Sequence, residues 1–342
     1  MKTNISIPST VINQGELTTS NILHILIGVA GIICNILILI VTLQFSNSKS
    51  SRINLFILNQ TVVDLITCVW LIIFGLALEA SAYYGVFGEI LCRFWSPGAN
   101  FPLFSCFAIS TYNMIAMCIE RYVAVIHHLQ YKQVFNKTNT RLIILIVWIV
   151  APLGQYIFPA FKKSATRNGQ CGIQSSWTDT LGTFFGVFLF LWEFLLPCAI
   201  MTYSYVVIVR KFGKSEPAAA AAPSVSGNEG RETRRNNTSE SRRRSASKNL
   251  TFTVFTLFLV YIVCWTPNQI TFLQFNLGGW LDFNGGWYHF TVFLAFCNTF
   301  SNFFVYALKQ RSFQHGLRKL LLCRKPVQGE QSLDHSPSIV LD

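Results

Sequence analysis

Two carboxylates stand where a carboxylate is costly. Asp64 lies in LNQTVVDLITCVW and Glu193 in FLWEFLLP, each inside a long apolar run. At a bilayer centre an acid costs on the order of 2.5–3.5 kcal/mol on insertion scales, so such residues point first to function. Asp64 has polar company at similar depth in Asn35, Ser110, Asn298 and Asn302. That set has the oxygens to hold a small cation, and equally the donors and acceptors to fasten helices through a hydrogen-bonded network. Residue types alone leave both open. Glu193 sits one turn outward of Pro197, and Pro197 and Pro267 each interrupt an apolar helical run. A proline there removes a backbone hydrogen bond and kinks the helix, which opens room between helices. Asn268, Gln269 and Gln274 lie outward of the Pro267 kink. Glu193 and Gln269 are therefore candidates to line an outward-facing pocket. The alternative is an acid paired to a neighbouring Gln, Tyr or water with no ligand role.

These side chains need helices to hold them at depth. An α-helix crosses the hydrocarbon core with about 20 mostly apolar residues. Runs of that kind occur near 22–44, 53–78, 98–123, 140–160, 180–209, 249–275 and 287–308. The fold class they define is an all-α membrane protein, a seven-transmembrane helix bundle spanning 22–309. At 310–323, Phe313, Leu317, Leu320 and Leu321 recur at helical spacing among basic residues, the pattern of a short amphipathic surface helix. An N-terminal tail (1–21) and a C-terminal tail (324–342) flank them.

Charge gives the direction. Only 12% of the 342 residues are charged and 51% are hydrophobic, against about a quarter charged in a soluble domain. Of the 27 Lys and Arg, 22 fall in 45–52, 121–141, 210–248 and 309–342; the alternate side holds Lys2, Arg93, Lys162, Lys163 and Arg167. Basic residues mark the cytoplasmic side, so the amino terminus is outside. The net charge of +12 is thus divided among membrane-flanking segments, which excludes a nucleic-acid partner. No cleavable signal peptide is apparent, and the first span acts as its own insertion signal. Asn4-Ile5-Ser6 is an N-glycosylation acceptor in the outer tail.

Seven of the ten cysteines lie within spans, as small packing residues. Cys92 and Cys171 fall in or beside outer segments, where the compartment is oxidising; a bridge between them would pin the second outer loop to the top of span three. Cys323 ends the surface helix and is either a palmitoylation site or a free thiol. The longest connection, 210–248, contains PAAAAAPSVSG and RETRRNNTSESRRRSASK. It buries little apolar surface and is expected to be disordered. Ser245 and Ser247 follow three arginines and are candidates for phosphorylation, or simply solvated.

Span three ends in Glu120-Arg121-Tyr122 followed by Val-Ala-Val-Ile-His. This resembles the Asp/Glu-Arg-Tyr motif of the rhodopsin-like G-protein-coupled receptors. The other landmarks of that family follow in order: Asn35, Asp64, Trp148, Pro197 with Tyr205, Cys264-Trp265-Thr266-Pro267, Asn302 and Tyr306, and Phe313. Each is weak alone; in order on seven spans they are strong, and they cover about residues 22–323. The resemblance implies a receptor in the plasma membrane, not an enzyme, that binds an extracellular ligand and activates a heterotrimeric G protein, with receptor kinases and arrestin as further partners. It implies that Glu120 and Tyr122 flank an Arg121 held inward at rest, and that Tyr205 and Tyr306 rearrange toward Arg121 on activation. Trp265 above Pro267 would form the pocket floor, and Leu129 would dock the G protein. It also implies a disulfide between Cys92 and Cys171. No cofactor is implied beyond an allosteric sodium ion held by Asp64, Ser110, Asn298 and Asn302.

Departures from the family pattern bear on switching and ligand. Phe303 replaces the proline of the span-seven motif, His128 an inner-loop proline, Tyr261 the usual Phe, and Thr111 a common aliphatic residue. Ser247 stands where an acid often faces Arg121, so a resting salt bridge between spans three and six is not expected. Cys92 precedes Arg121 by roughly one helical turn more than usual. Leu103 holds the place of the amine receptors' aspartate, and Phe296 that of the opsins' lysine. The pocket so defined comprises Leu103, Phe107, Glu193, Trp265, Asn268, Gln269 and Phe296. The pattern is most similar to neuropeptide receptors of the somatostatin, galanin and allatostatin kind, with Glu193, together with Glu79 or Asp282 at the rim, facing a basic group of a peptide. A small-molecule or lipid receptor of the same family, given 30 Phe, is the second reading. An ion-coupled transporter or channel is the third; seven unrepeated spans and the ordered landmarks stand against it.

Overall fold

The computed structural model describes residues 19–45, 52–76, 86, 101–161, 163–167, 170–174, 179–220, 230–282 and 285–322, with the side chains of 45, 156–179 and 214–244 outside that description. Seven of its helices are long and apolar enough to cross a membrane. Span one is Thr19–Phe45, span two Arg52–Gly75, span three Phe101–Ile126 and span four Lys137–Phe161. Span five runs through Asp179–Phe190, a π-helical turn at Leu191–Leu195, and Leu196–Ala220. Span six is the C-terminal part of Gly230–Asn276, from Ser245 onward, and span seven is Gly286–Lys309. A short helix, Tyr131–Val134, lies in the second inner loop, and the surface helix is Arg311–Leu321. Two strands, β1 (Lys163–Arg167) and β2 (Gln170–Gln174), pair antiparallel between spans four and five.

The bundle inverts the pattern of a water-soluble protein. Its exposed residues include large apolar ones on successive turns, such as Leu26, Ile33, Leu145, Ile149 and Val263, as a helix facing lipid requires. Its buried residues include Asn35, Gln60, Asp64, Asn113, Glu120 and Arg121. Span three is the axis, with 78% of its apolar window enclosed, because it packs against spans two, four, five and six.

One element differs from expectation and one follows from a departure in the family pattern, and both have physical causes. The connection at 210–248 is not irregular over its described length: helix continues to Ala220 and resumes at Gly230. The alanines at 218–222 are strong helix formers, and nucleation is already complete in the spans they extend. Span seven runs through Phe303 as one helix; without a proline every N–H there can stay in the ladder. Phe303 instead packs edge-on to Phe313 of the surface helix at 6.0 Å.

Spans one and two meet through small residues. A Cβ on Gly28 would lie 2.8 Å from the Cys68 carbonyl oxygen and 2.6 Å from Ile72 Cγ1; one on Gly31 would lie 2.3 Å from Cys68 Sγ. Membrane helices gain most from such backbone approach, since lipid already solvates their apolar side chains. Gly28→Ala is expected to cost about 1–3 kcal/mol of overpacking, because the carbonyl cannot rotate away. Thermal unfolding of the detergent-solubilised protein measures this as a lower midpoint.

Candidate functional site

The polar core is a single directed chain of hydrogen bonds. Trp148 Nε1 donates to Asn59 Oδ1 at 2.9 Å, and an indole N–H can only donate. Asn59 Nδ2 therefore donates onward, to Asn113 Oδ1 at 2.8 Å. Asn113 Nδ2 donates to Gln60 Oε1 at 2.8 Å and to the Phe56 carbonyl at 3.0 Å. Gln60 Nε2 then donates to Asp64 Oδ1 at 3.1 Å, to Oδ2 at 3.3 Å, and to Ser110 Oγ. Asn302 Nδ2 reaches Asp64 Oδ2 at 2.7 Å from span seven, and Ser110 Oγ reaches Oδ1 at 3.4 Å. The chain ties span four to two, three and seven. Asp64, Ser110 and Asn302 thus come together as the sequence suggested. Asn298 is buried, but among the described residues no bond joins its side chain to Asp64. Asn35 bonds instead to the Gly31 and Thr299 carbonyls, each at 2.9 Å. As they stand, the four expected sodium ligands do not offer a free donor set: both Asp64 oxygens and the Ser110 hydroxyl are already engaged by side-chain donors.

Above this core lies an aromatic floor. Phe107 meets Trp265 edge-on at 5.0 Å and stacks on Phe296 at 5.4 Å. His24 of span one tilts against Phe296 at 5.3 Å and Phe74 at 5.2 Å. Leu103 and Gln269 are buried beside them, and Trp265 Nε1 is buried without a partner among the described residues. Glu193 does not join this group. It receives a hydrogen bond from Gln155 Nε2 of span four, and none links it to Gln269 among the described residues. The paired-acid alternative is the one the geometry matches. The π turn at Leu191–Leu195 carries Glu193, and an extra residue per turn rotates it off the phase of a regular α-helix. Pro197 has no N–H for the Glu193 or Trp192 carbonyls. Two tyrosine hydroxyls take their place: Tyr261 donates to Glu193 O at 3.0 Å and Tyr112 to Trp192 O at 3.1 Å.

At the basic end, Arg121 pairs in a bidentate fashion with its neighbour Glu120. Both are buried, at 5% and 0% exposure. Tyr131 Oη of the inner-loop helix donates to the same carboxylate. Burial, with the Glu120 charge beside it, pushes the Tyr131 phenol well above its ordinary range, so it stays a donor. Tyr205 lies against Phe255 at 4.8 Å and takes a hydrogen bond from the Cys118 thiol at 3.5 Å, while the Tyr306 hydroxyl is buried without a partner among the described residues. Neither tyrosine bonds to Arg121. Tyr122 packs on Tyr203, and Leu129 is 85% exposed. Among the described residues no side chain of span six pairs with Arg121. Span six is tied elsewhere: Asn249 Nδ2 donates to the Lys309 carbonyl at 2.7 Å, and its Oδ1 accepts from the Arg311 N–H at 3.3 Å. It thereby caps both the end of span seven and the start of the surface helix.

Sequence reasoning missed Gln60, Asn59, Asn113, Gln155, Tyr131 and Asn249. Gln60 was within reach, since it stands one turn from Asp64 on the same helix face. Asn4, Glu79, Cys92 and Cys323 lie outside the described residues, and the Cys171 side chain outside the described side chains.

Seven spans, a buried acid–amide core, an aromatic floor and an Arg–Glu pair at the basic end define a seven-helix membrane receptor. A model of the family described as "7 transmembrane receptor (rhodopsin family)" matches residues 34–306, and the chain belongs to that family. It is 25% identical to somatostatin receptor type 2 of Mus musculus, over 97% of this chain and 86% of the relative. It is 24% identical to a QRFP-like peptide receptor of Branchiostoma floridae (92% and 80%) and to the allatostatin-A receptor of Bombyx mori (88% and 78%). The protein is therefore a multi-pass G-protein-coupled receptor.

Two substitutions test the inner end. Tyr131→Phe removes a bond to a buried carboxylate worth about 1.5–3 kcal/mol; agonist-free nucleotide exchange on a G protein is expected to rise. Asn249→Ala releases span six from the surface helix and is expected to raise the same basal rate by roughly fivefold, the equivalent of about 1 kcal/mol.

Proposed function

We propose that this receptor sits in the plasma membrane with its amino terminus outside, binds a peptide there, and activates a heterotrimeric G protein inside. The observation that supports a peptide is the agreement of the relatives: three peptide receptors match over about nine-tenths of the chain. The ligand's deepest group meets Phe107, Trp265 and Phe296 and is aromatic or aliphatic, because Glu193 is engaged by Gln155. A basic group of the peptide belongs higher, toward Glu79 or Asp282. Asn268 and Gln269, outward of the Pro267 kink, supply its polar contacts.

The Arg121–Glu120–Tyr131 arrangement is that of a resting receptor. Activation frees Arg121 to meet the G protein, with Tyr205 and Tyr306 moving toward it and Leu129 docking beside it. Glycosylation at Asn4, a Cys92–Cys171 bridge, palmitoylation at Cys323, and phosphorylation leading to arrestin binding belong to the same proposal. Ligand binding shifts this two-state balance only by its differential affinity for the active form.

The test is nucleotide exchange on a purified G protein by the expressed receptor, screened with a peptide library. A peptide that stimulates exchange supports the proposal. Ion flux or uptake with no exchange under any peptide would reject it. Arg121→Ala is expected to reduce stimulated exchange by at least about tenfold, or 1.4 kcal/mol, with surface expression retained; unchanged exchange would remove Arg121 from the coupling step.

A further inference from the structure

We infer that the Gln60 carboxamide takes the place of the sodium ion in this receptor, bridging Asp64 and Ser110 permanently so that the polar core is indifferent to sodium. The geometry comes first. Gln60, Asp64 and Ser110 are 2%, 1% and 3% exposed. One Gln60 nitrogen contacts both Asp64 oxygens and the Ser110 hydroxyl, the oxygens that an ion held by Asp64 and Ser110 would have to bridge.

The orientation of that amide is fixed from both ends. Trp148 can only donate, which sets Asn59, then Asn113, then Gln60, whose Oε1 must accept from Asn113 at 2.8 Å. At the other end an ionised Asp64 can only accept. Turning the Gln60 amide over would set oxygen against carboxylate and N–H against N–H. The positive ends of the Gln60 and Asn302 N–H dipoles therefore converge on Asp64 and repel a cation there. A lone pair given to an amide N–H is also not available to a metal. An ion entering would have to displace Gln60 from Asp64, Ser110 and Asn113 together, leaving buried amide groups without partners.

The consequence is regulatory. Where an ion stabilises the resting bundle, the stabilisation follows its concentration by mass action. A side chain on span two is present in every molecule, so here the brace is built in.

The test uses the purified full-length receptor in nanodiscs, its thermal unfolding followed in sodium chloride and in N-methyl-D-glucamine chloride at equal ionic strength. The wild type is expected to unfold at the same temperature in both salts. Gln60→Leu removes the bridging donor and is expected to gain a sodium-specific, saturable rise of about 2–5 °C, which the double variant with Asp64→Asn loses. If Gln60→Leu folds poorly, Gln60→Met fills similar volume without a donor and carries the same comparison. A sodium-specific rise in the wild type that Asp64→Asn abolishes would overturn the inference, because the ion then binds beside Gln60. A folded Gln60 variant with no sodium response would overturn it as well, because Gln60 then hides no cation site.

Discussion

In the interior of a bilayer no water is at hand to satisfy a buried polar group, so each must find its partner within the protein. The core of this receptor is organised by that requirement. The chain from Trp148 through Asn59, Asn113 and Gln60 to Asp64 begins on a group that can only donate and, with Asp64 ionised, ends on one that can only accept. Between such ends no amide can turn over without leaving two groups unpaired, and with Asn302 of span seven also bonded to Asp64 four spans are held in one register. A fully satisfied network of this kind is specific as well as stabilising, since any helix rotation breaks several bonds together. Spans one and two approach closely at Gly28 and Gly31, and Asn35 bonds from span one to the Thr299 carbonyl of the adjoining span seven.

The same requirement explains the irregular turn of span five. Pro197 and the π turn strip two carbonyls of helical partners, and Tyr112 and Tyr261 supply hydroxyls from spans three and six. Tyr261 also lies 6.3 Å from Trp265 in the floor and 6.3 Å from Phe194 of span five. Trp265 and the bulge of span five are thus joined through one ring contact and one hydrogen bond. Phe at the same place would keep the ring and lose the hold on span five.

Much of this was legible in the sequence because the bilayer makes a coarse code. Span number follows from apolar length; the direction expected from 22 of 27 basic residues on one side and the coupling end expected at Glu120-Arg121-Tyr122 remain part of the proposed function. What sequence could not supply was azimuth. Glu193 and Gln269 were matched by depth, but one extra residue in a π turn sends Glu193 to Gln155 instead. Asp64, Ser110 and Asn302 do meet, because each lies on a regular stretch of helix. Gln60 was passed over because an amide beside an acid reads as ordinary hydrogen bonding until its three partners are seen at once. The helical extension of 210–220 and 230–248 was missed for a different reason. Composition reports how much apolar surface a segment can bury, whereas here helix propagates from spans already nucleated.

The inner end is held together with few ions. Arg121 has its counter-charge on its own helix, in Glu120, so that pair by itself does not restrain span six. Ser247 offers no acid across the gap. Tyr131 ties the inner-loop helix to the Glu120 carboxylate, while span six is held by Asn249 on the backbone between span seven and the surface helix and by Lys248 over the Phe212 ring of span five. Among the described residues no counter-charge on span six faces Arg121, so that end of the helix is joined to its neighbours by few contacts. The polar core works the other way, since its bonds are buried, cooperative and tied to four spans. The bundle is thus held more densely at its centre than at its cytoplasmic rim, and Gln60 and Asp64 each take part in four of the central hydrogen bonds.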